Sequence, residues 1–262
     1  MERIKEALER ARQERGDAPP PGAHAAARPA AQPAEISYTQ TRTAKVAAGM
    51  LRGRRIIAGL PDGAFADAYK MLRTQVLQRL TENDWNVLAV TSPGEGEGKT
   101  LTAINLAISL GMEVSYTVLL VDANLRHPSI HEQLGLPASK GLSDYLLDDV
   151  PLPELLVHPE GLEQVVVLPA GRAVQNSAEL LNSPKMAQLV QELKSRYPRR
   201  IVIFDLPPVL SAADALAFSP YVDAALLVLE EGSTSQDDTR RAVELLDCTN
   251  VLGTVLNKAD RE

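Results

Sequence analysis

The sequence predicts a doubly wound α/β fold, in which a mostly parallel sheet carries helices on both faces. Short apolar runs rich in Val, Ile and Leu alternate with stretches of helical periodicity, and parallel strands covered on both faces have this composition. The helical segment 64–80 precedes the first run, with apolar residues recurring every three or four positions. The predicted strands are 86–91, 117–121, 164–168, 200–204, 224–229 and 251–256.

Composition excludes several classes of protein. The chain has 262 residues, of which 45% are hydrophobic, enough to bury a substantial core. Cys248 is the single cysteine, so an intramolecular disulfide is impossible and the small disulfide-rich secreted folds are excluded. The longest apolar run, 224–229, is far shorter than the roughly 18 residues of a membrane span. We therefore expect a cytoplasmic protein whose contact with the inner face of the cell membrane is peripheral or through a partner.

Charge and composition divide the chain into three predicted regions. Residues 1–16 have the spacing of a short amphipathic helix, 17–59 are Ala/Pro-rich and basic and are predicted as a flexible linker, and 60–262 form the folded domain. Residues 1–60 carry 11 basic and six acidic side chains, whereas 61–262 carry 16 and 28. Residues 1–60, which carry a net positive charge, are therefore a candidate tether to a membrane-bound assembly.

A glycine-rich loop follows the first predicted strand and precedes an apolar helix. In this setting, backbone N–H groups of the loop converge on phosphate, Lys99 reaches the β and γ phosphates, and the Thr100 hydroxyl binds Mg²⁺. Pro93 occupies the place where the G-x-x-x-x-G-K-[ST] pattern begins with Gly. The alternative is an ordinary glycine-rich surface turn. The predicted ATP contacts in this segment are Gly94, Glu95, Gly96, Glu97, Gly98, Lys99, Thr100 and Leu101.

Two predicted strands end in a carboxylate, Asp122 and Asp205. Because the carboxyl ends of parallel strands form the ligand crevice, we expect both to converge there with Lys99. Asp205 suits a water-mediated Mg²⁺ ligand, and Asp122 suits either a metal contact or the base that orients an attacking hydroxyl. The alternative for each is a strand-end Asp that caps the next helix.

The segments at these carboxylates resemble motifs of the bacterial tyrosine kinases. Residues 122–128, Asp-Ala-Asn-Leu-Arg-His-Pro, resemble the D-x-D-x-R motif, and residues 204–208, Phe-Asp-Leu-Pro-Pro, resemble D-x-P-P. The resemblance runs from about residue 65 to 260, and the start of the chain resembles members encoded with exosortase-linked polysaccharide systems. Further similar stretches are 141–144, 168–171, 178–181 and 255–258.

The resemblance implies a deviant P-loop ATPase that phosphorylates tyrosine and controls capsular or extracellular polysaccharide synthesis and export. It assigns Arg126 to the nucleotide site, and Asn257 to the position after the last strand that reads adenine. Asn124 replaces the second acid of D-x-D-x-R, which keeps an oxygen ligand for the metal but loses a charge. The resemblance assigns the binding of ATP and Mg²⁺ to Lys99, Thr100, Asp122 and Asp205.

The resemblance also implies a homo-oligomer. Residues 67–73 are similar to the family's E-x-x-R-x-x-R oligomerisation helix, with Asp67 for Glu, Lys70 for the first Arg, and Arg73 retained. An ordinary solvated helix face is the alternative. In the family that this chain resembles, kinases without their own membrane span are soluble partners of a separate protein in the membrane. The resemblance therefore implies a membrane-anchored polysaccharide chain-length determinant or adaptor as the partner of this chain. Nucleic acid is not an expected partner.

No tyrosine follows the last predicted strand, where autophosphorylating members carry a cluster. Tyr38 is the one tyrosine in a segment predicted to be flexible, so it is the internal candidate for the phosphate acceptor. The leading function is an ATP–Mg²⁺-dependent tyrosine kinase. Two alternatives remain at this stage, an ATP-driven assembly switch related to partition ATPases and a non-catalytic nucleotide-binding scaffold.

Overall fold

The computed structural model describes residues 41–60, 63–162, 164–197 and 199–259. The predicted amphipathic helix 1–16, the first part of the predicted linker and the candidate acceptor Tyr38 lie outside the described residues. The described residues thus comprise the predicted nucleotide domain and the segment directly before it.

Eight strands of the described chain form one sheet in the order β1-β4-β5-β3-β6-β2-β7-β8. All neighbouring strands are parallel except β4 and β5. The strands are β1 Arg42–Ala44, β2 Val87–Thr91, β3 Thr117–Asp122, β4 Val157–Pro159, β5 Val165–Leu168, β6 Arg200–Asp205, β7 Ala224–Glu230 and β8 Asn250–Asn257. The predicted doubly wound, mostly parallel sheet is confirmed, and the short strands β1 and β4 are additions to the prediction.

Helices connect these strands and cover both faces of the sheet. They are α1 Ala48–Gly53, α2 Ala64–Glu82, α3 Lys99–Gly111, α4 Ile130–Leu134, α5 Leu142–Asp148, α6 Leu152–Leu155, α7 Ser177–Leu181, α8 Pro184–Arg196, α9 Asp214–Phe218 and α10 Gln236–Leu245. Two short 3₁₀ helices, Ile57–Gly59 and Ser219–Tyr221, complete the described elements.

The sheet separates two hydrophobic cores. Successive side chains of β2 point to opposite faces, so Leu88 and Val90 lie in one core while Val87 and Ala89 lie in the other. All five residues of β2 are buried, as expected of a central parallel strand. This packing fixes the carboxyl ends of β2, β3 and β6 at one edge of the sheet.

Residues 42–59 are part of the folded domain, which corrects the predicted linker boundary at residue 59. Leu51, Ile56 and Ile57 are buried in the same core as α3. The amide of Asn105 on α3 fastens the segment, because its Oδ1 accepts the Ile57 N–H at 2.9 Å and its Nδ2 donates to the Arg55 carbonyl at 3.1 Å. The apolar residues of this segment do not recur at the regular spacing of a helix or a strand, so the pattern did not indicate a folded element.

We expect Ile56→Ala to lower the free energy of unfolding by about 3 kcal/mol, because large-to-small changes at fully buried sites remove contacts and leave a cavity. Ile56 is fully buried, whereas Val114, the matched control, is 74% exposed. Urea unfolding of Ile56→Ala and Val114→Ala measures the difference. Equal stability of the two variants would contradict the packing of residues 42–59 into the core.

Candidate nucleotide site

Three adjacent strands bring the predicted site residues to one edge of the sheet. Asp122 ends β3 and Asp205 ends β6, and the two lie directly opposite each other in the register of these neighbouring strands. The glycine-rich loop follows β2, the other neighbour of β6, and leads into α3 at Lys99. The structure therefore brings together Lys99, Thr100, Asp122 and Asp205.

The loop needs glycine where its backbone enters the left-handed region. Gly96 has φ +77° and Gly98 has φ +92°, conformations that L side chains rarely adopt. At Gly98 there is also no room, because an added Cβ would lie 2.0 Å from Asn257 Nδ2. Asn257, at the end of β8, donates from Nδ2 to the Glu97 carbonyl at 2.8 Å. Its amide thus lies against the loop, and its predicted contact with adenine stays a prediction.

Glu97 holds the loop through its side chain. The side chain is almost fully buried, and its carboxylate accepts the Gly94 N–H at 2.9 Å and the Thr234 hydroxyl at 2.5 Å. The sequence predicts that Glu97, as a member of the loop, contacts the nucleotide. The structure shows its carboxylate hydrogen-bonded to Gly94 and Thr234, and the contact with nucleotide stays a prediction. Thr234 was not predicted at all, because no local pattern marks a hydroxyl 137 residues away as a partner of the loop.

Lys99 and Thr100 face the carboxylate of Asp205. The Thr100 hydroxyl donates to Asp205 Oδ2 at 2.7 Å, and Lys99 Nζ lies 4.0 Å from Asp205 Oδ1. Asp205 is fully buried, and this burial raises its pKa above the ordinary value of an Asp. The charge of Lys99 and the Thr100 hydrogen bond lower the pKa and offset only part of that increase. Asp205 Oδ1 receives no hydrogen bond from the residues that the structure describes.

Asp122 is fully buried and accepts three backbone N–H groups. Its Oδ2 accepts from Ser129 and Ile130, both at 3.0 Å, and its Oδ1 accepts from Asn124 at 3.2 Å. Because Ile130 is the first residue of α4, its hydrogen bond to Asp122 caps that helix. The alternative stated for Asp122, a strand-end Asp that caps the next helix, is therefore one part of its role. Burial, and next the charge of Asp205, raise the pKa of Asp122 to about 7 despite these hydrogen bonds.

The donor set fits a phosphate-bound Mg²⁺ ion. Mg²⁺ prefers oxygen ligands and is usually held by one or two carboxylates together with substrate phosphates and water. Asp205 Oδ1 is a buried carboxylate oxygen without a hydrogen bond among the described residues, and the Thr100 hydroxyl lies beside the same carboxylate. The described residues contain no group of three or more His, Cys, Asp or Glu side chains that could hold a metal ion. The site thus has the oxygens for a cation that arrives with a nucleotide.

A cavity of about 430 Å³ opens at this edge. Asn124 is 5% exposed at its wall, and its Oδ1 accepts the His127 N–H at 3.3 Å. Leu101 lies apart from the cavity, with its side chain packed against the core. The lining residues are Glu95, Gly96, Lys99, Asn124, Arg126, His127, Ser129, Pro207, Pro208, Ser211 and Ala212.

The predicted oligomerisation residues lie on α2, outside this cavity. Asp67 and Lys70 form an exposed ion pair at 3.0 Å. Arg73 is bound within its own chain, because one terminal nitrogen donates to the Ser109 carbonyl at 3.0 Å and the other lies 2.9 Å from a Glu113 carboxylate oxygen. These contacts favour an intramolecular role for Arg73, and assembly through α2 stays a prediction.

Comparison with known proteins identifies the family. No protein-family model matches the chain. The tyrosine-protein kinase YwqD of Bacillus subtilis (strain 168) is 33% identical over 199 residues, a match that covers 75% of this chain and 82% of YwqD. The chain belongs to the bacterial tyrosine kinase family. Another relative, the succinoglycan biosynthesis transport protein ExoP of Rhizobium meliloti (strain 1021), is 31% identical over 211 residues, but the match covers only 26% of ExoP.

Solved structures of the kinase family have the same fold. The kinase domain of the Escherichia coli tyrosine kinase ETK superposes with a TM-score of 0.71 at 28% identity, covering 76% of this chain and 78% of ETK's. The chimerical protein CapA2B2 gives 0.72 at 26% identity, with coverages of 84% and 94%. The septum site-determining protein MinD of Pyrococcus horikoshii, complexed with Mg-ADP, gives 0.55 at 24% identity and coverages of 68% and 72%, which is a likeness of fold alone.

Proposed function

We propose that this chain is an ATP–Mg²⁺-dependent protein-tyrosine kinase, or autokinase, that regulates the polymerisation and export of an extracellular or capsular polysaccharide. The observation that carries the proposal is the pairing of Asp122 and Asp205 on neighbouring strand ends, with Lys99 and Thr100 beside Asp205. Family membership supports the reaction class, and YwqD is named a tyrosine-protein kinase.

The residues divide the work of phosphoryl transfer. The loop N–H groups, the N-terminus of α3 and Lys99 bind and orient the phosphates. Thr100, Asp205, Asn124 and Asp122 are the residues that would hold Mg²⁺, which when bound neutralises charge on the transferred group.

Asp122 has a second possible task, the acceptance of the proton from the tyrosine hydroxyl. A base works best when its pKa is close to the operating pH, and in the nucleotide-free protein the pKa of Asp122 is about 7. Metal ligand and general base are alternative assignments for this carboxylate. Asn257 is proposed to contact adenine from its position against the loop.

The proposed setting is the inner face of the cell membrane. The described residues include no helix that is long and apolar enough to cross a bilayer. We propose a membrane-anchored chain-length determinant or adaptor as partner, homo-oligomerisation through α2, and Tyr38 as an internal acceptor. ExoP, named as a transport protein of polysaccharide biosynthesis, supports this setting.

An ATP-driven assembly switch is the second candidate function. MinD supports it through fold alone. Partition-type ATPases usually have a lysine early in the loop, close to where this chain has Gly94. That difference favours the kinase.

Phosphotyrosine mass spectrometry after incubation with Mg²⁺–ATP tests the proposal, with and without the cytoplasmic segment of a membrane adaptor. We expect phosphotyrosine in the wild type and its loss in Lys99→Met, because the cation that binds the transferred phosphate is removed. Lys140→Met is the matched control, since Lys140 is exposed and does not line the cavity. Phosphate release without phosphotyrosine would instead support the switch, and nucleotide binding without either would support the scaffold.

A further inference from the structure

Arg126 is fixed by two residues that no motif marks. Its Nε donates to the Ser177 hydroxyl at 2.9 Å and lies 3.3 Å from Asp214 Oδ2. Since Nε carries a single N–H, which points to Ser177, the contact with Asp214 is ionic. Ser177 begins α7 and Asp214 begins α9, so two helices hold one side chain at the cavity wall.

Asp214 depends on this contact. Its side chain is fully buried, and neither carboxylate oxygen makes a hydrogen bond with the residues that the structure describes. A buried charge is costly unless an opposite charge lies close to it. Moving Arg126 away would leave the Asp214 carboxylate without that compensation. The ion pair therefore holds the guanidinium in place.

Arg126 still has donors to offer to a ligand. Guanidinium carries five N–H donors, and among the described residues only the Nε donor of Arg126 has a hydrogen-bond partner. The side chain is 39% exposed and lines the cavity. A fixed, partly exposed guanidinium is well suited to bind a carboxylate at two points.

The position of Arg126 favours the second substrate over the nucleotide. Loop N–H groups, α3 and Lys99 already provide a cradle for phosphate on one side of the cavity. Arg126 lies beyond the end of β3 and shares the cavity wall with Pro207, Pro208 and Ser211, which follow β6. An anionic group that enters with the acceptor would meet Arg126 there.

We propose that Asp214 is a positioning residue that fixes Arg126 as the recognition site for an acidic residue next to the acceptor tyrosine. This inference rests on the proposed kinase function and names its substrate class. The rest of the folded domain repels such a substrate, because residues 61–262 carry 28 acidic and 16 basic side chains. A preference for acidic flanks must therefore come from a local cation.

Two fluorescent peptides of equal length test the proposal, one with glutamates and one with glutamines around a single tyrosine. Affinity is measured by anisotropy with Mg²⁺ and a non-hydrolysable ATP analogue, and phosphorylation is measured separately with ATP. We expect the wild type to bind the glutamate peptide about tenfold more tightly, the size of one charge-assisted contact. Arg126→Gln is expected to bind both peptides equally, and Arg126→Lys to keep part of the preference.

Asp214→Asn reports on positioning. We expect it to reduce the preference to about threefold or less by raising the KM of the glutamate peptide, with kcat on the glutamine peptide unchanged, since the guanidinium loses its anchor. Adding Asp214→Asn to Arg126→Gln should change the preference no further, because both act through one side chain. Ser177→Ala, which leaves no buried charge unpaired, should weaken the preference in the same direction. Arg172→Gln is the matched control, since Arg172 forms a surface pair with Asp148 at 2.9 Å.

The outcomes separate the two proposals. Equal affinity of the wild type for both peptides, or an unchanged preference in Arg126→Gln, would overturn this inference while phosphorylation of both peptides keeps the kinase proposal intact. A clear glutamate preference without any phosphate transfer would refute the kinase proposal and support the recognition role of Arg126. A preference that Arg172→Gln abolishes would also overturn the inference.

Discussion

Asp205→Asn is expected to lower the rate of Mg²⁺–ATP-dependent tyrosine phosphorylation by about a thousandfold, the scale of a lost electrostatic contact to the transferred group. Asp205 is the carboxylate on which the Thr100 hydroxyl and the Lys99 ammonium converge. Its Oδ1 is buried and without a hydrogen bond among the described residues, and in Asn one of the two carboxylate oxygens is replaced by an NH₂ group. The charge that would hold Mg²⁺ is lost with it.

The same substitution is expected to leave the fold intact. It removes one of two buried carboxylates that face each other across β3 and β6, so the folded protein without nucleotide loses a repulsion. Phosphotyrosine formation by mass spectrometry and the melting temperature by circular dichroism give the two readouts. Asp148→Asn, at a half-exposed carboxylate paired with Arg172, is the matched control and should retain activity. Retention of more than about a tenth of the activity by Asp205→Asn would place the reacting phosphate away from this carboxylate.

Local patterns predicted the parts of the site that depend on position along one strand. The apolar runs end at Asp122 and Asp205, and in a parallel sheet the ends of neighbouring strands meet at one edge. The same rule accounts for Lys99, since the loop after β2 opens on that edge. These placements required only the strand period and the direction of the chain.

Partners that come from distant segments could not be predicted in this way. Thr234 and Asp214 follow β7 and β6 and meet Glu97 and Arg126 only after the sheet has formed. Asp214 also looks like an ordinary residue at the start of a helix, and its complete burial is a property of the packing around it. Residues 42–59 show the same limit, because four buried side chains in a basic, glycine-containing stretch do not produce a period.

The second large effect is on stability, which we expect to fall as the pH rises from about 4 to about 7 in the absence of nucleotide and metal. An unfolded Asp titrates near pH 3.9, whereas the pKa of folded Asp122 is about 7. Between these values the folded state binds more protons than the unfolded state, so its free energy of unfolding decreases with pH. Between pH 4 and pH 7 the loss is about 3 kcal/mol, since each pH unit between the two pKa values contributes about 1.4 kcal/mol.

Urea unfolding in EDTA at pH 5, 6, 7 and 8 measures this loss in the wild type and in three variants. Asp122→Asn has no proton to lose at this position and should show a much flatter profile. Asp205→Asn removes the facing charge that helps to raise the Asp122 pKa, so its profile should flatten in part. Asp148→Asn should follow the wild type. A wild-type stability that rises between pH 5 and 7 would contradict a raised pKa for Asp122.

The same proton connects stability with ligand binding. If Asp122 is half protonated near pH 7, the binding of Mg²⁺–ATP next to it favours the carboxylate and releases a proton. Affinity for Mg²⁺–ATP should therefore rise with pH up to about 7, over the range in which the nucleotide-free protein loses stability. Calorimetric titrations in buffers of different ionisation enthalpy count the released protons, and Asp122→Asn should release fewer. The buried acid pair thus destabilises the empty site and favours the filled one, because the positive charge of the Mg²⁺ that accompanies ATP relieves the repulsion between Asp122 and Asp205.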